Sequence, residues 1–242
     1  MKLFVIGIGP GHERYLTAEA REALERAEVV AGYPLYLGLI RDLIRGKRQL
    51  STPMRKEEVR CRMALESAAG GSVTALVCSG DAGVYGMAAL VYELAPEYPE
   101  VEVVIVPGIT AALSAAAILG SPLTNDFAVI SLSDLLTPWD EIERRLAAVA
   151  AAGLVLCLYN PASAKRRSHL KRACDIVLRR RPEDTVCGLV RNAGREGESS
   201  RFLSLGELRD AEADMFTTVV IGNASTALIG ERMVTPRGYR HD

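Results

Sequence analysis

Three times in its first half this chain repeats one pattern: an apolar, β-branched run, a glycine-containing turn, then a helix-period segment. The runs are 2–8 (KLFVIGI), 73–78 (VTALVC) and 101–106 (VEVVIV). Their turns are Gly7-Ile8-Gly9-Pro10-Gly11-His12, Ser79-Gly80-Asp81-Ala82-Gly83-Val84-Tyr85-Gly86 and Pro107-Gly108-Ile109-Thr110-Ala111-Ala112. A strand that feeds a helix cannot return as a tight hairpin, so the next strand runs parallel to the first. Turns at the carboxyl ends of parallel strands gather on one edge of the sheet, where open α/β sheets take their ligands. The pattern sets the fold class as α/β with mostly parallel sheets, and it makes the three turns candidates for one small-molecule site.

The remaining elements extend the same reading. Thr17 is placed to cap a helix carrying Ala20, Ala23, Leu24 and Ala27 on one face. Residues 28–31 read as a strand, and the basic stretch after Gly32-Tyr33-Pro34 reads as a helix, a loop and another helix. Gly120-Ser121-Pro122-Leu123-Thr124-Asn125 is a turn-rich break after a helix of small aliphatic residues. A second series follows, with strands at 127–132, 154–159, 185–190 and 217–221 and helices near 140–152, 163–181 and 205–211. Two αβα domains are expected, 1–120 and 121–242, with a ligand cleft between them.

Composition narrows the partners. The formal charge of −1 gives no global field toward nucleic acid or a membrane surface, and neither is expected as a partner. Two local basic runs stand out, Arg41 to Arg62 and Lys165 to Arg181. Each is either a solvated face or a surface for a polyanionic small molecule. The five cysteines are scattered without a C-x-x-C, and Cys78, Cys157 and Cys187 fall in apolar strands as small core residues. No disulfide framework, bound metal or iron–sulfur cluster is expected. The start of the chain lacks an export signal, and no apolar stretch approaches the ~20 residues that span a bilayer, so a cytoplasmic setting is expected.

Asp81 is the one acid of its turn, and it is either a ligand contact or the cap of the helix that follows. The first turn invites a dinucleotide reading but fits it poorly. Its glycines fall at 7, 9 and 11, His12 stands where the third glycine belongs, and Pro10 has no N–H for a phosphate.

Taken together, GIGPG near the start, SGDAGVYGMA, PGITA, GSPLTNDFAVISLSDLLTPW, YNPASAKR, TTVVIGNAST and MVTPRGY resemble the tetrapyrrole methyltransferases of the corrin pathway. The more specific segments, SLSDLLTPW, YNPASAKR and MVTPRGY, are similar to the precorrin-3B C(17)-methyltransferase branch, which includes its cobalt-factor III counterpart. The resemblance runs from Lys2 to Tyr239. It implies a homodimer that uses S-adenosylmethionine as methyl donor, releases S-adenosylhomocysteine, and acts on a polycarboxylate tetrapyrrole. It implies donor contacts at Pro10, Ser79, Gly80, Asp81, Val84, Thr110 and Ala111. From the second half it implies Tyr159, Asn160, Asn192, Ala193, Thr217 and Thr218. Some relatives carry an extension with cluster-binding cysteines that is not matched here.

Methyl transfer from a sulfonium needs alignment and exclusion of water rather than a nucleophilic side chain, and no nucleophile constellation is present. A polycarboxylate acceptor suits guanidinium and ammonium groups, and Arg55, Lys165, Arg166 and Arg237 are the candidates. The ring contraction that the resemblance implies calls for acid–base help. Candidates are Ser133 and Asp134 above all, then Ser131, Thr137, His12 and Asn125; Asp134 is alternatively a helix cap. His169 carries no sequence signal. A methyltransferase of another ring carbon, a nucleotide-dependent oxidoreductase and a non-enzymatic corrinoid carrier are the competing readings. Asp81→Ala is expected to weaken donor binding and to leave the fold intact.

Overall fold

A computed structural model describes residues 1–163 and 166–239. The chain divides into two compact units, the first ending at Ala111 and the second beginning at Ala112. The first unit alternates strands and helices: β1 (Lys2–Gly7), α1 (Ala18–Arg26), β2 (Val29–Gly32), α2 (Pro34–Leu39), β3 (Arg48–Ser51), α3 (Glu57–Ala69), β4 (Thr74–Cys78), α4 (Ala88–Leu94) and β5 (Glu102–Val106). Its single sheet has the order β3-β2-β4-β1-β5, with every neighbouring pair parallel. The two-residue period of the strands divides the core. Leu3, Val5, Leu76 and Cys78 face Cys61, Leu65 and Val91 of α3 and α4. Phe4, Ile6, Ala75 and Val77 face Leu24 of α1 and Leu37 of α2. At the start of α1 the Thr17 hydroxyl accepts a hydrogen bond from the Ala20 N–H at 3.1 Å, as its sequence position suggests.

β3 lies inside the basic stretch that reads as helix, loop and helix. It is an edge strand paired only with β2 and largely exposed. Polar residues are tolerated there because no layer covers the strand, so periodicity gives no strand signal.

The second unit comprises α5 (Ala111–Leu119), β6 (Gly120–Ser121), β7 (Phe127–Ser131), α6 (Trp139–Ala151), β8 (Val155–Tyr159), α7 (His169–Leu178), β9 (Val186–Arg191), β10 (Ser199–Ser204), α8 (Leu205–Arg209), β11 (Thr217–Ile221), β12 (Ala227–Ile229) and β13 (Arg232–Val234). Its main sheet has the order β10-β9-β11-β8-β7. Here the expectation of a mostly parallel sheet needs correction, because only β7 and β8 pair in parallel. The helical crossovers do keep β7, β8 and β9 running one way. β11 inserts antiparallel between β8 and β9, and β10 returns from β9 as an antiparallel neighbour. Helices α6, α7 and α8 cover one face through Ile142, Leu146, Leu170, Val177 and Leu208. β12 and β13 form a small sheet with β6.

Helix α5 covers the other face of the main sheet. Its Ala112, Ala115 and Leu119 pack on Val155, Cys157, Val190 and Val220. A Cβ at position 188 would lie 2.4 Å from Leu119 Cδ1, so Gly188 lets the helix approach β9. This packing draws α5 into the second unit, whereas the sequence break places the boundary after the helix. Among the described residues, no helix is long and apolar enough to cross a membrane. All five cysteines are buried free thiols.

Candidate active site

Because all five strands of the first sheet run the same way, the turns after β1, β4 and β5 share one edge. They are bound together through the main chain. The Gly9 N–H donates to Gly80 O at 3.0 Å, and the Gly80 N–H donates to Gly9 O at 2.7 Å. The three turns approach so closely that side chains are excluded. A Cβ at position 108 would sit 2.2 Å from Gly80 O and 2.5 Å from Gly7 O. The glycines here bring backbone against backbone. Pro10 and Gly80 are buried in this junction, while Ser79, Val84, Thr110 and Ala111 line it half-buried.

Asp81 locks the junction. Its Oδ1 accepts from the N–H groups of Gly83 at 2.8 Å and Val84 at 3.1 Å, and its Oδ2 accepts from the Gly108 N–H at 2.9 Å. Asp81 is therefore a brace between the β4 and β5 turns. Of about four acceptor positions on a carboxylate, three are taken, which leaves one for a ligand N–H or O–H. The expectation that Asp81→Ala spares the fold does not agree with this geometry.

In the second unit, the corresponding edge gathers Ser131, which is in register with Tyr159, and Thr217, which is in register with Arg191. The Tyr159 hydroxyl accepts from the Ala112 N–H at 2.6 Å, satisfying a free donor of the first turn of α5. Asn160 has a φ of 52° and its Nδ2 donates to Ser131 Oγ at 3.0 Å. Asn192, also with a φ of 52°, turns the chain out of β9 beside half-buried Ala193. Thr217 and Thr218 are buried, and Thr217 Oγ1 donates to Asp214 Oδ1 at 2.8 Å while accepting from the Asp214 N–H at 3.1 Å. Thr217 therefore closes a turn, and any ligand would meet its surroundings rather than its hydroxyl. A cavity of about 480 Å³ opens beside it, with Arg191, Ser199, Arg201 and Asp214 in its wall.

The loop after β7 holds the second cluster. Ser131 Oγ accepts from the Ser133 N–H at 3.2 Å, and the Arg166 guanidinium donates to Ser133 Oγ. Arg166 also lies 3.7 Å from Asp134 Oδ1, and His169 Nε2 lies 3.0 Å from Asp134 Oδ2. No helix begins after Asp134, since α6 starts at Trp139, so the capping alternative does not apply. His169 beside it, and Arg166 more weakly, hold the Asp134 carboxyl below its ordinary value against an opposing desolvation effect. Of the acid–base candidates, Ser131, Ser133 and Asp134 are thus brought together with Asn160 and Arg166. His169 was invisible in the sequence because only tertiary packing joins it to the loop.

Other expected residues fall elsewhere. His12 Nδ1 accepts from the Arg14 N–H at 3.1 Å, capping a short turn. Asn125 Nδ2 donates to Pro236 O at 2.9 Å, tying its loop to the segment that carries exposed Arg237. Arg55 is exposed with a φ of 68°, on the loop after β3 and hence at the same edge as the glycine turns. Lys165 lies outside the described residues.

Comparison with known proteins places this arrangement. The profile of the Tetrapyrrole (Corrin/Porphyrin) Methylases matches residues 2–209. The chain belongs to this family. Among tetrapyrrole methylases it is 46% identical to a probable cobalt-factor III C(17)-methyltransferase of Salmonella typhimurium, over 98% of this chain and 99% of the relative. It is 39% identical to a precorrin-3B C(17)-methyltransferase of a Sinorhizobium species, over 98% of this chain and 96% of that one. The crystal structure of the methyltransferase CobJ superposes with a TM-score of 0.89 at 36% identity, covering 97% of this chain and 99% of the other. In two longer relatives the match spans about half of the protein, 53% and 45%.

Proposed function

We propose that this tetrapyrrole methylase transfers a methyl group from S-adenosylmethionine to C-17 of a cobalamin precursor, with contraction of the macrocycle. The observation that carries the reading is the near-full-length match to two relatives named for that carbon, at 46% and 39% identity. The higher identity is to the cobalt-factor III enzyme, which makes cobalt-factor III the first acceptor to assay and precorrin-3B the second. On the same resemblance the working form is a homodimer.

The donor supplies its own leaving group when bound, the thioether sulfur taking the electron pair of the broken C–S bond. The chain's residues then have to bind, orient and manage one proton, because a methyl cation equivalent enters as a proton leaves. In the first unit, the junction of Pro10, Ser79, Gly80, Val84, Thr110 and Ala111 offers rigid backbone edges for the donor, held in place by Asp81. Rigidity matters because in-line displacement gains from fixed geometry and loses steeply with misplacement. In the second unit, the family resemblance makes Tyr159, Asn160, Asn192, Ala193, Thr217 and Thr218 donor-contact candidates, to be tested by substitution.

Exposed Arg55 and Arg237 suit the acid arms of the acceptor. Arg166 keeps part of its donor capacity for Ser133 and Asp134. Ser133 and Asp134 are the side chains we assign to assist the proton movement that contraction needs.

The test is anaerobic incubation of the protein with S-adenosylmethionine and cobalt-factor III, and in parallel with precorrin-3B, followed by mass analysis of the corrinoid. Gain of one methyl group with formation of S-adenosylhomocysteine supports the reading. A folded protein that binds the corrinoid tightly and methylates neither acceptor would favour a carrier.

A further inference from the structure

Asp134 and His169 form a pair whose two members differ sharply in exposure. The Asp134 side chain is 36% exposed, whereas the His169 side chain behind it is 8% exposed. His169 opens α7, and its ring stands edge-on to Trp139, the first residue of α6, with centroids 4.7 Å apart. Arg172, one turn further along α7, lies over the Trp139 ring at 3.9 Å. The imidazole is thereby packed against the start of α6, and Nε2 faces the Asp134 carboxylate. Nε2 approaches Oδ2 to 3.0 Å without hydrogen-bond alignment, and Nδ1 is buried without a partner among the described residues. Arg166 faces the other oxygen. A buried polar ring with so little else to satisfy it is costly unless that contact is maintained.

We propose that His169 is a positioning residue for the methylation. It holds the Asp134 carboxylate from behind, with the open side of that carboxylate toward the acceptor at the end of β7. Because Asp134 is presented as an anion, it repels the acid arms of a polycarboxylate and receives a proton-bearing nitrogen or oxygen of the macrocycle. The Asp134 anion and the Arg237 cation of the same unit would then read different parts of one acceptor. This assignment rests on the C-methylation proposed above.

The test compares His169→Phe, which keeps a ring against Trp139 and removes the nitrogens, with His169→Gln, which restores a side-chain N–H donor. In methyl-transfer assays with cobalt-factor III, the Phe variant is expected to lose about tenfold or more in kcat. Its KM for S-adenosylmethionine should stay unchanged, and the acid limb of its pH–rate profile should move to higher pH. The Gln variant should recover part of the rate. Carbon NMR of aspartate-labelled protein reads the pair independently of turnover, and the Asp134 carboxyl should titrate at higher pH in the Phe variant than in wild type. Wild-type kcat and pH limb in a folded Phe variant would overturn the proposal. So would an unchanged Asp134 titration. If wild type itself methylates neither acceptor, the functional reading fails, and the NMR comparison still decides whether His169 governs Asp134.

Discussion

Replacing Asp81 separates a loop brace from a simple ligand contact. Asp81→Ala removes the acceptor of three main-chain N–H groups, those of Gly83, Val84 and Gly108. Gly83 is exposed and its N–H regains water, while the bonds from Val84 and Gly108 are partly buried. A hydrogen bond to a charged group contributes about 1.5–3 kcal/mol, and weighting the two partly buried ones by half for solvent access again gives about 1.5–3 kcal/mol in total. For a chain of this size that is a fall in Tm of about 3–12 °C. Asp81→Asn is the sharper variant. With its oxygen at the Oδ1 position it keeps the bonds from Gly83 and Val84, and its amide NH2 then faces the Gly108 N–H, donor against donor. It should melt between Ala and wild type. Both variants should bind S-adenosylhomocysteine more weakly in calorimetric titration, because the β5 turn with Thr110 and Ala111 is released. If both melt within a degree of wild type, Asp81 is not a brace. An Ala variant of normal stability that has lost S-adenosylhomocysteine binding would return Asp81 to a direct contact.

Other perturbations follow from the same geometry. Gly108→Ala forces a Cβ to within 2.2 Å of Gly80 O, so circular dichroism melts should show destabilisation, with loss of S-adenosylhomocysteine binding in titration. The Arg60 guanidinium, buried in α3, donates to Thr52 O and Pro53 O at 3.1 Å each, so Arg60→Met strands two carbonyls and should cost about 2–4 kcal/mol in urea melts. Burial pushes the Cys78 thiol up to about 11 and the Cys157 thiol up to about 12, so at pH 8 a thiol reagent should label the native chain negligibly and all five cysteines in denaturant. Asp134 is held below its ordinary value of 3.8 in the folded chain, so it adds stability above that value and loses it as the pH falls through its lower folded value. Wild type and Asp134→Asn should therefore differ in urea stability at neutral pH and converge in acid, by a small amount because the group is solvent-screened. Leu136 is 98% exposed beside Asp134, so Leu136→Ser should leave Tm unchanged.

In the first unit β1, β2 and β4 were readable because they are buried almost throughout, and the turns after β1, β4 and β5 are marked by glycines. Period and punctuation both survive in the sequence there. β3 and β10 were not readable, since edge strands such as Arg48–Ser51 and Ser199–Ser204 carry polar residues and no apolar alternation. The antiparallel insertion of β11 was hidden for a different reason. Thr217–Ile221 is fully buried, and its composition does not reveal its direction. At the site, chain-local features such as the glycine turns and the Ser133–Asp134 loop could be found. Partnerships across the chain could not, and the bond from Gly108 to Asp81 and the contact of His169 with Asp134 exist only after folding. For that reason Asp81 read as a ligand contact or a helix cap, and His169 carried no signal.

The measurement that bears most directly on the account is transfer of a 13C-labelled methyl group from S-adenosylmethionine to cobalt-factor III, with the labelled carbon located by NMR in the isolated product. The account predicts a single new methyl resonance coupled to C-17 of a contracted ring. A methyl group at another ring carbon, or a labelled methyl that stays on the donor while the corrinoid remains bound, would contradict it.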